Sequence, residues 1–310
     1  MTSGPNRLRG YAEAVAAASL WGSSGVFAVN LFRMGLPPES LALLRPVVGS
    51  LILLAAVVLH KPAALRIDLQ GLAILMLGGG FAVGVFQIAY QFSTDAVGVP
   101  STVAMLYLAP AVVAASSGPL LGEWPDRTRL ILLLVTLLGV WLSVFGAKEV
   151  PGLFDSSGFT WGILAGVSYG AYTLFGRFAA PRYGSLPTVV YSTLGSCLFL
   201  VLVVPATTGP IVLPNSGPAW ALLFTFSFLT MAVAHFLFFD SLAHIDAGQA
   251  SIATAIEPVI AAVLATVLLS QGLSPVGWLG ITLVVGGVVG VGLTSGVASD
   301  ATGGVGRNTP

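Results

Sequence analysis

The chain has little charge and almost no cysteine. Charged residues make up 8% of its 310 residues, whereas an ordinary soluble domain carries roughly 25%. So few charges cannot cover a domain with a water-exposed surface, and hydrophobic residues reach 56%. Cys197 is the single cysteine, which excludes a disulfide framework within the chain. These deficits favour an integral membrane protein.

Signals of catalysis and of nucleic-acid binding are missing as well. The chain has no His-Glu-x-x-His pair, and Asp240 and Asp246 lie near a loop rather than as paired intramembrane aspartates. An intramembrane enzyme is therefore disfavoured, and no catalytic residue, metal site or cofactor is predicted. Nucleic-acid binding is also disfavoured, because the sequence contains no basic patch.

Long apolar runs account for most of the chain. A helix needs about 20 apolar residues to cross the hydrocarbon core of a bilayer. Ten segments of about this length follow one another with short connections, at about 10–32, 40–60, 71–92, 100–121, 128–147, 158–180, 185–205, 218–240, 249–270 and 275–295. The first segment lacks the compact pattern of a cleaved signal peptide and is assigned as a span. The predicted fold is an all-α integral membrane protein with ten transmembrane helices.

The second half of the chain repeats the first at an offset of 148 residues. Tyr107-Leu108-Ala109-Pro110 falls on Ala255-Ile256-Glu257-Pro258, and Trp21-Gly22 falls on Tyr169-Gly170, without a gap. Internal repeats of membrane helices are typical of transporters, which favours a transporter over a scaffold or channel. The predicted organisation is two five-helix repeats at 10–147 and 158–295, a linker at 148–157, and tails at 1–9 and 296–310.

The basic residues indicate the orientation in the membrane. With a cytoplasmic N-terminus, nine Lys and Arg residues lie on the inner side, and only Arg33 and Lys148 lie on the outer side. This positive-inside bias predicts that both termini are cytoplasmic and that the linker at 148–157 is external. Because each repeat has an odd number of spans, the second repeat is predicted to have inverted topology relative to the first.

Several motifs resemble those of a known transporter family. The fourth span and its exit read Leu108-Ala109-Pro110 and Leu121-Gly122-Glu123, and the second copy keeps Glu257-Pro258. With Arg45 in the second span, they resemble the ten-span EamA-type branch of the drug/metabolite transporter superfamily over nearly the whole chain. The resemblance implies an exporter in a bacterial inner membrane, most similar to the YddG-like group that exports aromatic and other amino acids. Gln271 departs from the pattern, since such families often place glutamate there.

Polar and aromatic side chains within the spans are the candidate substrate contacts. Gln87 and His235 occupy equivalent positions in the two repeats, and both should avoid lipid and face the bundle interior or a cavity. Interhelical hydrogen bonding and aromatic packing remain the structural alternatives at these positions. The predicted substrate-binding set is Trp21, Gln87, Tyr90, Tyr107, Tyr169, Tyr172 and His235.

Charges and prolines inside the spans suggest how the protein moves. A carboxylate about two turns into a helix must be paired, hydrated or protonated. Glu257 is therefore assigned to a structural pair or a gate, with proton coupling as the alternative, and Arg45 is its candidate partner. Pro110 and Pro258 are equivalent in the two repeats, and each removes a backbone donor, so both are assigned as hinges.

Glycines spaced four residues apart predict places where helices approach closely. The pairs are Gly80 and Gly84, Gly118 and Gly122, Gly166 and Gly170, and Gly286 and Gly290. Ordinary enrichment of glycine in membrane helices is the alternative explanation for each pair.

The distribution of Lys and Arg bounds the substrate. Neither residue occurs between positions 183 and 306, whereas a carrier of organic phosphates would offer cationic groups to its anion. Aromatic, amide, hydroxyl and imidazole groups suit a small zwitterion such as an amino acid, or else a weakly polar metabolite or drug. We predict export by alternating access around a central cavity, with facilitated diffusion and proton antiport both open. The predicted partners are this small molecule and the lipid bilayer, and the predicted assembly is a monomer or weak homo-oligomer.

Overall fold

The protein is built from α-helices in the computed structural model. The structure describes residues 4–109, 111–113, 115–116, 127–146, 156–241, 244–245 and 253–303, with side chains except at 4–7, 129, 156, 177, 185, 239 and 291–303. Helix makes up 88% of the structure, and no strand occurs in these ranges. The predicted all-α class is therefore confirmed.

The first half contains six α-helices with defined bounds, and the described residues 109, 111–113 and 115–116 are helical as well. The six helices are α1 Gly4–Gly22, α2 Ser24–Arg33, α3 Pro38–His60, α4 Leu69–Ile74, α5 Gly80–Leu106 and α6 Arg127–Phe145, with a short 3-10 turn at Pro62–Leu65. Pro38 begins α3, and a proline is tolerated there because the first N–H groups of a helix have no hydrogen-bond partner within the helix. Asp68 caps α4 by accepting a hydrogen bond from the backbone N–H of Gly71 at 3.3 Å.

The second half contains a matching series of helices. They are α7 Ser156–Tyr183, α8 Ser185–Thr208, α9 Gly217–Ser227, α10 Ala234–Ser241, α11 Glu257–Leu269 and α12 Pro275–Gly303. The helix α12 continues past residue 295, where the predicted tenth span ends. Described helix lies within each of the ten predicted segments.

Five described helical stretches are long and apolar enough to cross a membrane. They are Leu8–Arg33, Pro38–His60, Leu69–Leu106, Leu186–Thr208 and Gly217–Phe238. Shorter apolar helices lie at Leu130–Phe145, Glu257–Leu269 and Pro275–Gly290. The protein is therefore a multi-pass membrane protein, and the number of ten crossings stays a prediction.

The most extensive helix contacts join the two halves, and they occur in exchanged pairs. The helix α5 packs along α7, and in return α1 and α2 pack against α10 and α11. Likewise α5 contacts α8, while α3 contacts α9 and the turn that follows it. The remaining large contacts, α3 with α8 and α6 with α12, join equivalent helices. This exchange is the pattern expected of two repeats related by an approximate two-fold axis.

A sharp kink divides α5 where the sequence predicts the junction of two spans. Gly98 has φ 76° and ψ 170°, a backbone conformation that is strained for any residue with a side chain. Two residues later, Pro100 lacks the backbone N–H that would donate a helical hydrogen bond. Between them, the backbone N–H of Val99 donates to Oε1 of Gln271 at 3.0 Å. Gln271 therefore satisfies a backbone group at the kink, which gives a structural role to this departure from the family pattern.

Equivalent helices in the two halves each contain a turn of π-helix. These turns are Leu75–Gly79, between α4 and α5, and Phe228–Val233, between α9 and α10. A π turn widens the helix and shifts its hydrogen-bond register, and such turns often mark functional sites. The second turn carries Thr230, which contacts two of the predicted site residues.

Two of the predicted glycine pairs lie at close helix contacts. A Cβ on Gly80 would lie 2.6 Å from the backbone of Gly195, and one on Gly170 would lie 2.8 Å from Val112. Gly166 approaches the backbone oxygen of Met105 in the same α5–α7 contact. In the fourth pair, a Cβ on Gly290 would lie 2.6 Å from Leu132, whereas one on Gly286 would have no neighbour within 4 Å among the described residues, so the prediction is wrong at Gly286. Gly118 and Gly122 lie outside the described residues.

Candidate functional site

The first span is broken beside Trp21. The helix α1 ends at Gly22 and α2 begins at Ser24. At the break, the hydroxyl of Ser23 donates to the carbonyl of Leu20 at 2.6 Å. The indole N–H of Trp21 donates to the carbonyl of Thr230 at 3.0 Å, which ties the break to the π turn of the second half.

Arg45 is buried in the bundle among neutral groups. It is 7% exposed, and its guanidinium donates to Oε1 of Gln87 at 3.0 Å and to the hydroxyl of Thr230 at 3.1 Å. The Phe226 ring lies 4.6 Å from the guanidinium carbon, and Nε has no hydrogen-bond partner. Among the described residues Arg45 has no carboxylate partner, so the candidate pair with Glu257 is not formed.

Gln87 and His235 both lie close to Arg45. Gln87 is 3% exposed and accepts from Arg45, which corresponds to the interhelical hydrogen bond considered as its structural alternative. The ring of His235 stands edge-on to Trp21 with centroids 5.4 Å apart. Contact of either residue with substrate stays a prediction.

Aromatic rings form a second wall close to Glu257. Phe86 lies between Tyr90 and Tyr169, with ring centroids 5.8 and 5.7 Å away. Tyr90, Tyr107 and Tyr169 all lie within electrostatic range of Glu257, and Tyr90 lies within range of Arg45 as well. Tyr169 is 39% exposed and has Tyr172 nearby, whereas Tyr90 belongs to the buried core between the halves. Tyr90 is therefore the ring within electrostatic range of both Arg45 and Glu257 among these three tyrosines.

Glu257 begins α11 next to the break in the first span. A Cβ on Gly22 would lie 2.9 Å from the Glu257 carbonyl oxygen, so glycine permits the approach of the two backbones. The first turn of a helix favours an acidic side chain, yet the Glu257 carboxylate has no hydrogen bond or ion pair within the described ranges. Pro258 lies in the first turn of α11, just after a two-residue turn at 255–256 that separates α11 from the helical residues 253–254. Its hinge role stays a prediction, and Pro110 lies outside the described residues.

A second group of charges joins the halves at the opposite end of α1. Arg9 forms ion pairs with Glu13 at 2.7 Å and with Asp240 at 2.6 Å. Ligand atoms of Glu13, Asp240 and His244 lie close enough to hold a metal ion, but Arg9 already engages both carboxylates. Alongside, Ala14, Ile245 and Ala253 form a buried apolar cluster. The arrangement fits a closed end of the bundle better than a metal centre.

Residues 166–170 read Gly-Val-Ser-Tyr-Gly, so the expectation that the sequence contains no catalytic motif is wrong at this position. Hydrolases place a Gly-x-Ser-x-Gly motif on a sharp strand-to-helix turn that exposes the serine. Here the five residues lie inside the continuous helix α7, and Ser168 is buried. The pattern therefore belongs to helix packing and provides no nucleophile.

A largely apolar helical bundle of two like halves, with charges and aromatic rings where they meet, is the architecture of a multi-pass membrane transporter. The family comparison agrees. The model of the EamA-like transporter family matches the chain twice, over residues 8–145 and 156–293, and the chain belongs to this family. It is a family of transporters rather than of enzymes.

Similar curated proteins are bacterial transporters. The uncharacterized inner membrane transporter YicL of Salmonella typhimurium is 24% identical over 297 residues, which cover 93% of this chain and 96% of YicL. The uncharacterized transporter YdfC of Bacillus subtilis is 24% identical over 255 residues, which cover 82% and 81%. A solved crystal structure with 19% identity and a TM-score of 0.66 covers 94% of this chain and 98% of its own, and it shares the fold.

Proposed function

We propose that the protein exports small metabolites, most specifically neutral or aromatic amino acids and related zwitterions, by alternating access. The observation that carries the proposal is a pair of separated, unmatched charges within the bundle. Arg45 has only neutral partners, and the Glu257 carboxylate has no partner among the described residues. Tyr90 lies within electrostatic range of both. A zwitterion would supply a carboxylate for Arg45 and an ammonium group for Glu257.

The energetics support such a substrate. A charge inside a membrane protein is unfavourable unless it is paired or hydrated, so two unmatched charges suggest a ligand that completes them. Phe86, Tyr107 and Tyr169 offer aromatic surface to an apolar side chain or to an ammonium group. Organic phosphates fit poorly, since Arg45 is one cation among neutral neighbours and phosphate sites use several.

The proposed topology has ten spans in two inverted repeats with both termini in the cytoplasm, in a bacterial inner membrane. Support comes from the nine-to-two charge bias and from the exchanged helix contacts. Export as the direction of transport follows from the resemblance to amino-acid exporters. Substrate would leave the central site as the two halves rock about the broken first span and the start of α11.

A weakly polar drug or metabolite is the second candidate substrate. The aromatic wall favours it, because such ligands need ring surface and few charged partners. The two candidates differ in their need for charge: an amino acid would require both Arg45 and Glu257, whereas a neutral compound would require neither.

The test is transport by the purified protein in proteoliposomes. We expect exchange of labelled phenylalanine, leucine or tryptophan, returned chemically unaltered, and no inhibition of this exchange by phenylethanol, which keeps the ring but lacks both charges. Liposomes without protein and liposomes with the Arg45→Met variant are the controls. No exchange of any amino acid, together with thermal stabilisation of the purified protein by phenylethanol, would support the second candidate and contradict the first.

The ion pair between Arg9 and Asp240 is expected to act as the inner gate. Asp240→Asn should open this end more often, and labelling of an Ala14→Cys variant from the cytoplasmic side should rise. An exposed ion pair is worth little, so the expected increase is only about two- to five-fold. Arg9 is 60% exposed, which places the pair in this weak class.

The measurement uses a membrane-impermeant thiol reagent on inside-out vesicles in a Cys197→Ser background. Glu39→Gln is the matched control, since it also removes a carboxylate but lies in the first turn of α3, outside the ion pair. Equal labelling rates for Asp240→Asn and for the parent would show that the pair is not a gate.

A further inference from the structure

An open cavity lies beside the kink of α5, and neither Arg45 nor its partners Gln87 and Thr230 line it. Its volume is about 300 Å³, at the small end of the roughly 300–1,000 Å³ that ligand sites occupy. Its lining residues come from α2, from α5 and from the turn after α11, and they are Val29, Phe32, Arg33, Thr94, Asp95 and Gln271.

The cavity carries two opposite charges that do not pair with each other. Arg33 and Asp95 both line it, yet neither a hydrogen bond nor an ion pair joins them in the part of the chain that the structure describes. Arg33 reaches only the carbonyl of Leu269, at 3.4 Å. Phe32 and Val29 supply apolar surface to the same space. A small ligand with its own positive and negative ends would satisfy both side chains.

Its position relates the cavity to the central site. Thr94, in its wall, lies one helical turn after Tyr90 in α5, and Val29 packs in the same buried cluster as Tyr90. Arg33 is one of the two basic residues that the charge bias assigns to the outer side. The cavity therefore lies between Tyr90 and the end of the bundle that the charge bias assigns to the outer side.

We propose that this cavity is an external release site for the zwitterion, in which Arg33 binds the carboxylate and Asp95 binds the ammonium group. The assignment rests on the proposed function, because it uses the same substrate class. It adds a second binding step after the central site. Gln271 would set the shape of the site, since its side chain both lines the cavity and holds the kink at Val99.

The test measures half-saturation from each side of the membrane. In phenylalanine exchange, Arg33→Gln and Asp95→Asn are each expected to raise the external half-saturation constant about three- to five-fold, the upper part of the range for a solvent-exposed ion pair. The internal constant should change less than about twofold, because the cavity is external. Right-side-out and inside-out vesicles separate the two values.

Phenylalanine derivatives that lack one of the two charged groups show which side chain binds which group. External inhibition by phenylalaninamide, which lacks the carboxylate, should be the same in Arg33→Gln as in the parent, and N-acetylphenylalanine should behave likewise in Asp95→Asn. Arg33→Lys should retain part of the affinity. Glu39→Gln is the matched control, since Glu39 lies within electrostatic range of Asp95 but does not line the cavity.

Two failures are distinguishable. Unchanged external constants in both variants of a protein that exchanges phenylalanine would overturn the release site and leave the proposed function standing. A parent protein that exchanges none of the amino acids tested would overturn the proposed function and this site with it. Both side chains are exposed, so folded yield in detergent should match the parent.

Discussion

Replacing Arg45 with methionine is expected to reduce amino-acid transport at least tenfold while the protein stays folded. Arg45 would form the charged hydrogen bond to the substrate carboxylate, and loss of such a bond costs about 1.5–3 kcal/mol, or roughly ten- to a hundred-fold in affinity. Its present partners are the neutral side chains of Gln87 and Thr230. Methionine fills similar volume without a charge to desolvate, so the free energy of unfolding should change by less than about 2 kcal/mol.

Exchange of labelled phenylalanine measures the loss of transport, and thermal unfolding in detergent measures the change in stability. Arg45→Lys is the matched variant: it keeps the charge, but a single ammonium cannot reproduce the planar fork that reaches both Gln87 and Thr230. We expect it to transport more slowly than the parent and faster than Arg45→Met. Normal transport by Arg45→Met would show that this charge does not contact substrate.

The helical fold was predictable because membrane helices leave strong local signals. Each predicted span is an apolar run of about the required length, and the common 148-residue offset reveals the repeat. The kink at Gly98 was not predictable, because its stability depends on Gln271, a residue far away in the chain. The two π turns leave no local pattern either, since both lie within apolar runs that read as ordinary helix.

The candidate site was only partly predictable. Gln87 and His235 stand out as polar residues in apolar helices, and the structure places both near Arg45. Thr230 joins Arg45 to Trp21 but gives no sequence signal, because a threonine in a membrane helix commonly bonds to its own backbone, as this one also does with Phe226. Phe86 was missed for a similar reason: one phenylalanine among seventeen is not distinctive.

The expected ion pair between Glu257 and Arg45 shows that the number and sequence position of buried charges do not predict which of them pair. Arg45 and Glu257 are the charges well inside the predicted spans, so a direct pair was the simplest arrangement. Instead Gln87 and Thr230 take the arginine's hydrogen bonds, and aromatic rings lie near the carboxylate. Which groups meet depends on how the two halves fit together, and composition does not encode this. Keeping the charges apart leaves each one available to a ligand.

Glu257→Gln is expected to remove the response of transport to a pH gradient while some substrate exchange persists. The carboxylate can hold either a proton or the substrate's ammonium group, and this competition would couple their opposite movements. Glutamine keeps the size and a hydrogen-bond acceptor but cannot bind a proton. Loss of the charged contact should also weaken binding of phenylalanine by about tenfold.

The measurement compares exchange without a gradient and accumulation with one, in proteoliposomes of the parent, Glu257→Gln and Glu257→Asp. Aspartate retains an ionisable group and should recover part of the pH response, whereas a purely structural role would make it no better than glutamine. Folded yield must be equal across the three proteins, because a carboxylate needed for packing would lower it in the variants. A folded Glu257→Gln protein that still accumulates substrate under the gradient would show that protons are coupled elsewhere or not at all.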